Sequence, residues 1–386
     1  MELFALNELL QPERIIDQFS TLIWTERYSE WGDFELVIDS SLGRQSALAR
    51  GSLLGLDKSR RVMMIETVDE PGDGTIKLTG RSLEALLSTR IVNSGPAVAG
   101  NPGVTVTVSS APAALARSIF EQTCQTNTLI PADNFSFVKP GSAGIAGNIP
   151  EPIDVIEYQY AQGTVYDTIK AICDPYQLGF AIVRDVSPGG SLSYFGVYSG
   201  SDRSGWQTTL PAVIFSVELD TLEKPSYLES DVDLRNVAYV FAEKGSQIVY
   251  SGSYDPDSGS YGRRVMMVDA SDVTLNKGSL LDQTLQFRGM QALAEQRSVI
   301  VFDGEIPSYL PYIYGVDYNL GDFVERRDSR GFASKMLVTE QIFVSDATGE
   351  RSYSTLTALD LVPPGSWYAW PRTGNWDAAT GTWNTV

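Results

Sequence analysis

Along residues 1–92 apolar and polar positions alternate, the period-two pattern of half-buried strands. The pattern is sharpest around one hairpin. Leu22, Trp24, Glu26 and Tyr28 share one face of a first strand, and Phe34, Leu36 and Ile38 share one face of a second. Ser29-Glu30-Trp31-Gly32 supplies the turn, with Gly32 suited to a positive φ. A short helix over 82–88 places Leu83, Leu86 and Leu87 on one face.

The periodicity then changes. Residues 93–112 are small and nearly uncharged, the composition of a surface excursion. Helical spacing predicts a helix over 111–123, with Pro112 in its first turn, and another over 165–173 that stops at Asp174-Pro175. Strands are predicted at 179–184, 192–198 and 213–219. From residue 222 the pattern is again β, with strands at 237–242, 246–251, 263–268, 298–306, 322–326, 335–343 and 352–359. One helix, over 280–297, interrupts them, with Leu281, Leu285, Met290 and Leu293 among its apolar positions. The last segment, 363–386, sets Trp367, Trp370, Trp376 and Trp383 among Gly, Pro, Thr and Asn and cannot bury much by itself.

There is an internal echo. Gly51-Ser52-Leu53-Leu54 precedes a strand with Glu66, then Asp73-Gly74; Gly321-Asp322-Phe323-Val324 precedes a strand with Glu340, then Thr348-Gly349. Two copies of one small barrel give such an echo, and so do any two three-strand meanders. The fold class expected is mainly β with α+β insertions: two similar small antiparallel β-barrel domains plus two smaller α+β domains. The boundaries read as 1–92 for the first barrel, 93–221 for an α+β domain, 222–245 with 299–362 for the second barrel, 246–298 for an inserted strand-helix domain, and 363–386 for the tail.

Length and composition narrow the function. A chain of 386 residues implies two to four domains. Hydrophobic content of 43% and a mean hydropathy of −0.09 fit a soluble globular protein, with no apolar run long enough for a bilayer. Residues 1–10 carry Glu2 and Glu8 and no basic residue, so no secretory signal is expected and synthesis in the bacterial cytoplasm is. The net charge of −19 disfavours specific nucleic-acid binding. The basic pairs Arg60-Arg61, Arg263-Arg264 and Arg326-Arg327 read as solvated strand ends. Cys124 and Cys173 read as buried free thiols.

Little catalytic chemistry is in view. The chain has no histidine, which removes Ser-His-Asp and Cys-His systems and His-based metal helices. Asp255-Pro256-Asp257-Ser258-Gly259-Ser260 alternates carboxylates before a glycine, but the twelfth position of a calcium loop falls on Met266, so a hairpin tip is expected there. Gly72-Asp73-Gly74 and Gly189-Gly190 match no phosphate-binding loop. No cofactor, metal site or catalytic residue is expected.

The hairpin also carries wording. A strand ending Trp24-Thr25-Glu26-Arg27-Tyr28, a Gly32-Asp33-Phe34 step and Glu35-Leu36-Val37-Ile38 resemble the N-terminal signature of the tail-tip hub, or minor tail protein, family of long-tailed actinobacterial phages, related to the hub of contractile tails. Leu234-Arg235-Asn236-Val237-Ala238-Tyr239-Val240 and Tyr318-Asn319-Leu320-Gly321-Asp322-Phe323-Val324 resemble later segments of that family. The resemblance implies a homotrimer whose duplicated barrels form a pseudo-sixfold ring. Its partners would be the distal tail protein ring, the tape-measure protein and downstream tip or receptor-binding proteins, with phage DNA only in transit. The chain would then reside in the virion, without membrane insertion. Trp24, Tyr28, Gly32, Phe34, Gly51, Glu66, Leu320, Gly321, Asp322, Val324 and Glu340 are the signature and barrel positions, and Glu26, Arg27, Glu30 and the four tail tryptophans are candidate subunit contacts. Two other readings stand beside this one: a carboxylate-dependent cell-wall hydrolase, and a carbohydrate-binding adhesin with Trp367 to Trp383 as its platform.

Overall fold

The computed structural model describes residues 1–42, 48–92, 106–128, 130–141, 149, 151–152, 155–160, 163–252, 254, 259–306, 312–327 and 333–358. The four tail tryptophans and Asp255 to Ser258 lie outside them.

The first unit is all β: β1 (Leu3–Leu6), β2 (Pro12–Ile16), β3 (Thr21–Arg27), β4 (Asp33–Asp39), β5 (Leu53–Leu56), β6 (Val62–Asp69) and β7 (Thr75–Ser82). Inward-facing residues of these strands, among them Trp24, Phe34, Leu36, Leu54 and Ile65, enclose one apolar core. The second unit contains β8 (Val106–Ser110), α1 (Pro112–Phe120), β9 (Ile156–Tyr160), α2 (Val165–Cys173), β10 (Gly179–Arg184) and β11 (Ser193–Tyr198). Thr164 caps α2, its hydroxyl accepting the Asp167 N–H at 3.0 Å. Both helices pack on the β10–β11 ribbon around Phe120, Ile169 and Phe180. Cys124 and Cys173 are buried free thiols there, and burial pushes the Cys124 thiol up to about 12.

The chain then enters the third unit through β12 (Ile214–Phe215) and β13 (Glu223–Ser230) and leaves it for an insertion. The insertion holds β14 (Val237–Ala242), β15 (Gly245–Tyr250), α3 (Gly259–Gly262), β16 (Val265–Asp269) and α4 (Ser279–Glu295). The third unit resumes with β17 (Val299–Ile306), β18 (Phe323–Arg327), β19 (Ala333–Asp346) and β20 (Gly349–Thr357). One boundary differs from the expectation, and one strand was not foreseen. Strand β14 pairs with β15 and β16 and not with the second barrel, because the two-residue turn Glu243-Lys244 folds β15 straight back on it. Strand β13, Glu-Lys-Pro-Ser-Tyr-Leu-Glu-Ser, has no apolar alternation, and the sequence pattern missed it.

Units one and three are built alike. Strand order β3-β4-β7-β6-β5 recurs as β13-β17-β20-β19-β18, and both belong to one thirteen-stranded sheet. Gly51 and Gly321 both sit at φ +86°, where only glycine is unstrained. The Gly51 N–H donates to the Ile65 carbonyl and the Ile65 N–H to that of Ser52; the Gly321 N–H donates to Val338 and the Val338 N–H to Asp322, all at 2.7–2.9 Å. One residue later each strand bulges, between Ile65 and Thr67 and between Val338 and Glu340. The echo therefore slips by one from its expected form: Glu66 corresponds to Thr339, and Glu340 to Thr67.

The two units are sewn together. β19 gives its first half to β18 and its second half to β3, and Phe343 of β19 lies in the core of the first unit, opposite Trp24. Phe343→Ala is expected to cost about 3–5 kcal/mol, the usual range for a buried Phe, read as a lower urea midpoint. Loss confined to about 1 kcal/mol would mean that the seam does not hold the units together.

Candidate assembly interface at the hairpin seam

The chain leaves β3 at Tyr28 and brings three cores to one place. Trp24 and Phe34 face the first core with ring centroids 6.3 Å apart. Tyr28, four residues on, sits in the core of the third unit and meets Tyr198 edge-on at 5.3 Å. Its hydroxyl lies 2.9 Å from the Gln177 carbonyl and 3.0 Å from that of Tyr198, so it also ties in the α+β unit. Glycine is required where this ring packs: a Cβ on Gly179 or Gly321 would come within 2.3 Å of it. Gly32 does not take the positive φ expected of it. It is glycine because a Cβ there would lie 2.3 Å from the Thr25 carbonyl.

Glu26 was expected at a subunit contact and is instead interior, 2% exposed. Its Oε1 accepts the Trp24 indole N–H at 3.0 Å and the Ser59 hydroxyl, and its Oε2 accepts the Tyr314 hydroxyl at 3.0 Å. Burial raises its pKa against the opposing pull of Arg61 and these donors. Arg61, read as a solvated strand end, is buried and paired with Glu84, which is fully enclosed. Glu84 Oε1 also accepts the Ile182 N–H at 2.7 Å, and Arg61 Nη2 donates to the Arg27 carbonyl at 3.0 Å. The other two basic pairs are not simply solvated either. Arg263 lies among Tyr239, Tyr250 and Tyr254, and Arg326 stacks on Phe302 and Tyr227.

The remaining positions fall as follows. Arg27 spans the seam, 2.7 Å from Glu340 and 2.5 Å from Asp33. Glu30 is half exposed and lies 3.1 Å from Lys170. Glu66 receives Arg81 through two 2.7 Å bonds. Leu320 and Val324 are buried in the third unit. Asp322 accepts the Ser201 N–H at 2.6 Å and the Asn319 N–H at 2.9 Å, and burial raises its carboxyl to about 6. No group of three potential metal ligands occurs among the described residues.

Sequence reasoning missed Ser59, Arg61, Glu84 and Tyr314 as a buried polar set. Their one sequence signal is Glu84 within an apolar helical stretch. It also missed an open apolar face on the insertion, where Phe241, Ile248, Tyr250, Val265 and Met267 of three paired strands are exposed.

A family model described as Siphovirus ReqiPepy6 Gp37-like protein matches residues 2–351. The chain belongs to that family. Its fold is shared with solved phage tail proteins. The 43 kDa tail protein of prophage MuSo2 from Shewanella oneidensis is 13% identical, with TM-score 0.56 over 92% of this chain and 97% of that one. A tail protein from Neisseria meningitidis MC58 is 12% identical, with TM-score 0.56 over 94% and 99%. Prophage tail protein gp18 from Listeria monocytogenes EGD-e is 10% identical, with TM-score 0.51 over 93% and 95%. A search of curated protein sequences finds no match. The mainly β fold is the one expected from the strand pattern, and the siphovirus tail family agrees with the resemblance of the hairpin wording.

Two outcomes test this site. Glu84→Ala leaves Arg61 buried without its principal partner and is expected to cost about 3–5 kcal/mol; the double variant Arg61→Met with Glu84→Leu should recover part of that loss in urea denaturation. Asp322 is raised in the folded state, so the stability it contributes is complete below about pH 4 and is lost as pH rises through about 6. The stability of the wild type relative to Asp322→Asn should therefore fall from pH 4 to pH 7, by of order 3 kcal/mol. A pH-independent difference would contradict the assignment.

Proposed function

We propose that this protein is the structural hub of a siphophage tail tip, a homotrimer that joins the tail tube and its distal ring to host-contacting tip proteins. The observation that carries this reading is the duplication. Two β units of equal strand order, joined edge to edge, let each chain supply two equivalent positions, so three chains supply six. A ring of that kind can stack against a six-subunit ring above it.

The remaining parts of the reading follow from charge and surface. The lumen of the ring would pass phage DNA, and a net charge of −19 suits a wall that does not hold it. The tape-measure protein would end near the ring. The open apolar face of the insertion supports a lateral contact with a further tail component. The role is structural, within the virion, and uses no catalytic residue. No described helix is long and apolar enough to cross a membrane.

Mass photometry of the purified chain, alone and with the distal ring protein, tests the hub. The expected result is a species of three chains that adds to the ring. A persistent monomer at micromolar concentration that fails to bind the ring would overturn it.

A further inference from the structure

The duplication also names the strands that meet between chains. Within one chain the open edge of β3 is covered by the second half of β19, with Arg27 opposite Glu340 and Trp24 opposite Phe343. The equivalents of those two edges are not covered by any described strand. Among the described strands β13, the equivalent of β3, ends the sheet and pairs only with β17. β6, the equivalent of β19, pairs with β5 only as far as Met64, and no described strand lies beside Thr67 to Asp69 on that side.

We infer that β13 of one chain adds antiparallel to the second half of β6 in a second copy of this chain, repeating between chains the seam that β3 and β19 make within one. The register follows from the pairings. β6–β7 and β19–β20 equate Ile65 with Val338 and Thr67 with Glu340. β4–β7 and β17–β20 equate Phe34 with Phe302; β3–β4 and β13–β17 then equate Trp24 with Tyr227, and so Arg27 with Ser230. Thr67 therefore faces Ser230 of the next chain, and Asp69 faces Leu228.

The exposed edge fits this use. Tyr227 and Leu228 are 51% and 55% exposed on a strand of eight residues, an edge that a stable protein otherwise blunts or covers. In the template seam the Tyr28 N–H donates to the Thr339 carbonyl at 2.9 Å, so the adjoining pair Arg27/Glu340 is a non-hydrogen-bonded one. Thr67 and Ser230 inherit that geometry, in which the two Cα atoms come within about 4.5 Å, close enough for a disulfide.

The pairing rests on the oligomeric reading above, and cysteine cross-linking separates the two. Thr67→Cys with Ser230→Cys, in the full chain, should give covalently linked chains on mild oxidation, seen on non-reducing gels; Thr67→Cys with Leu228→Cys, two residues out of register, should not. Both native thiols are buried, so they do not compete. An oligomer by mass photometry with no cross-link at 67/230 overturns the edge pairing and leaves the hub standing. A monomer with no cross-link overturns both. Hydrogen exchange on the unsubstituted chain gives an independent reading: amides of β13 should slow on assembly, and unchanged exchange there overturns the pairing even if a cysteine variant misfolds.

Discussion

The pairing of β3 with β19 is the constraint on which the rest of the molecule depends. It converts two β units that are far apart in sequence into one continuous sheet. It also sets direction: six residues of β19 fix six of β3, and the alternation of side chains admits no slip of one. Phe343 then enters a core made otherwise by the first unit, and Tyr28 leaves that unit for the core of the third. Each unit completes the other.

Behind the seam lies a set of buried charges that an apolar core would do without. A buried ion pair adds little over well-packed apolar side chains, but a broken one is expensive. Glu26, Arg61 and Glu84 draw donors and acceptors from the first unit, the third unit and the α+β unit, through Ser59, Tyr314 and Ile182. Any other docking of these three bodies would leave a charge without partners. The set thus penalises misplacement more than it strengthens the correct arrangement. Tyr28 acts similarly by shape, since Gly179 and Gly321 leave room for its ring and for nothing else at that spot.

Much of this was legible in the residues, for identifiable reasons. The hairpin, α2 and most core strands show their period because one face is dry. Gly51 and Gly321 signalled the duplication because the backbone there needs glycine. What was illegible had no such pressure behind it, or had partners distant in sequence. β13 is an exposed strand carrying Pro225 and charged residues, so no alternation marks it. Arg61 reads as surface because its partner, Glu84, is reached only after the chain has folded back. Glu26 shares a face with Trp24 in the strand pattern, and it lies inside with it; reading it as a subunit contact set its charge above its register. β14 was misassigned because pairing partners, unlike faces, are not written in a strand's own pattern.

The seam has a further consequence, in time. Arg27 and Glu340 are separated by 313 positions. At roughly 5–20 residues per second, a ribosome needs on the order of 15–60 s to make the intervening chain. Throughout that interval the nascent first unit has seven strands but lacks the partner of β3 and the ring that fills its core. Its most apolar edge stands open beside other nascent copies. The order of synthesis therefore leaves β3 as the strand of the first unit whose pairing is completed last.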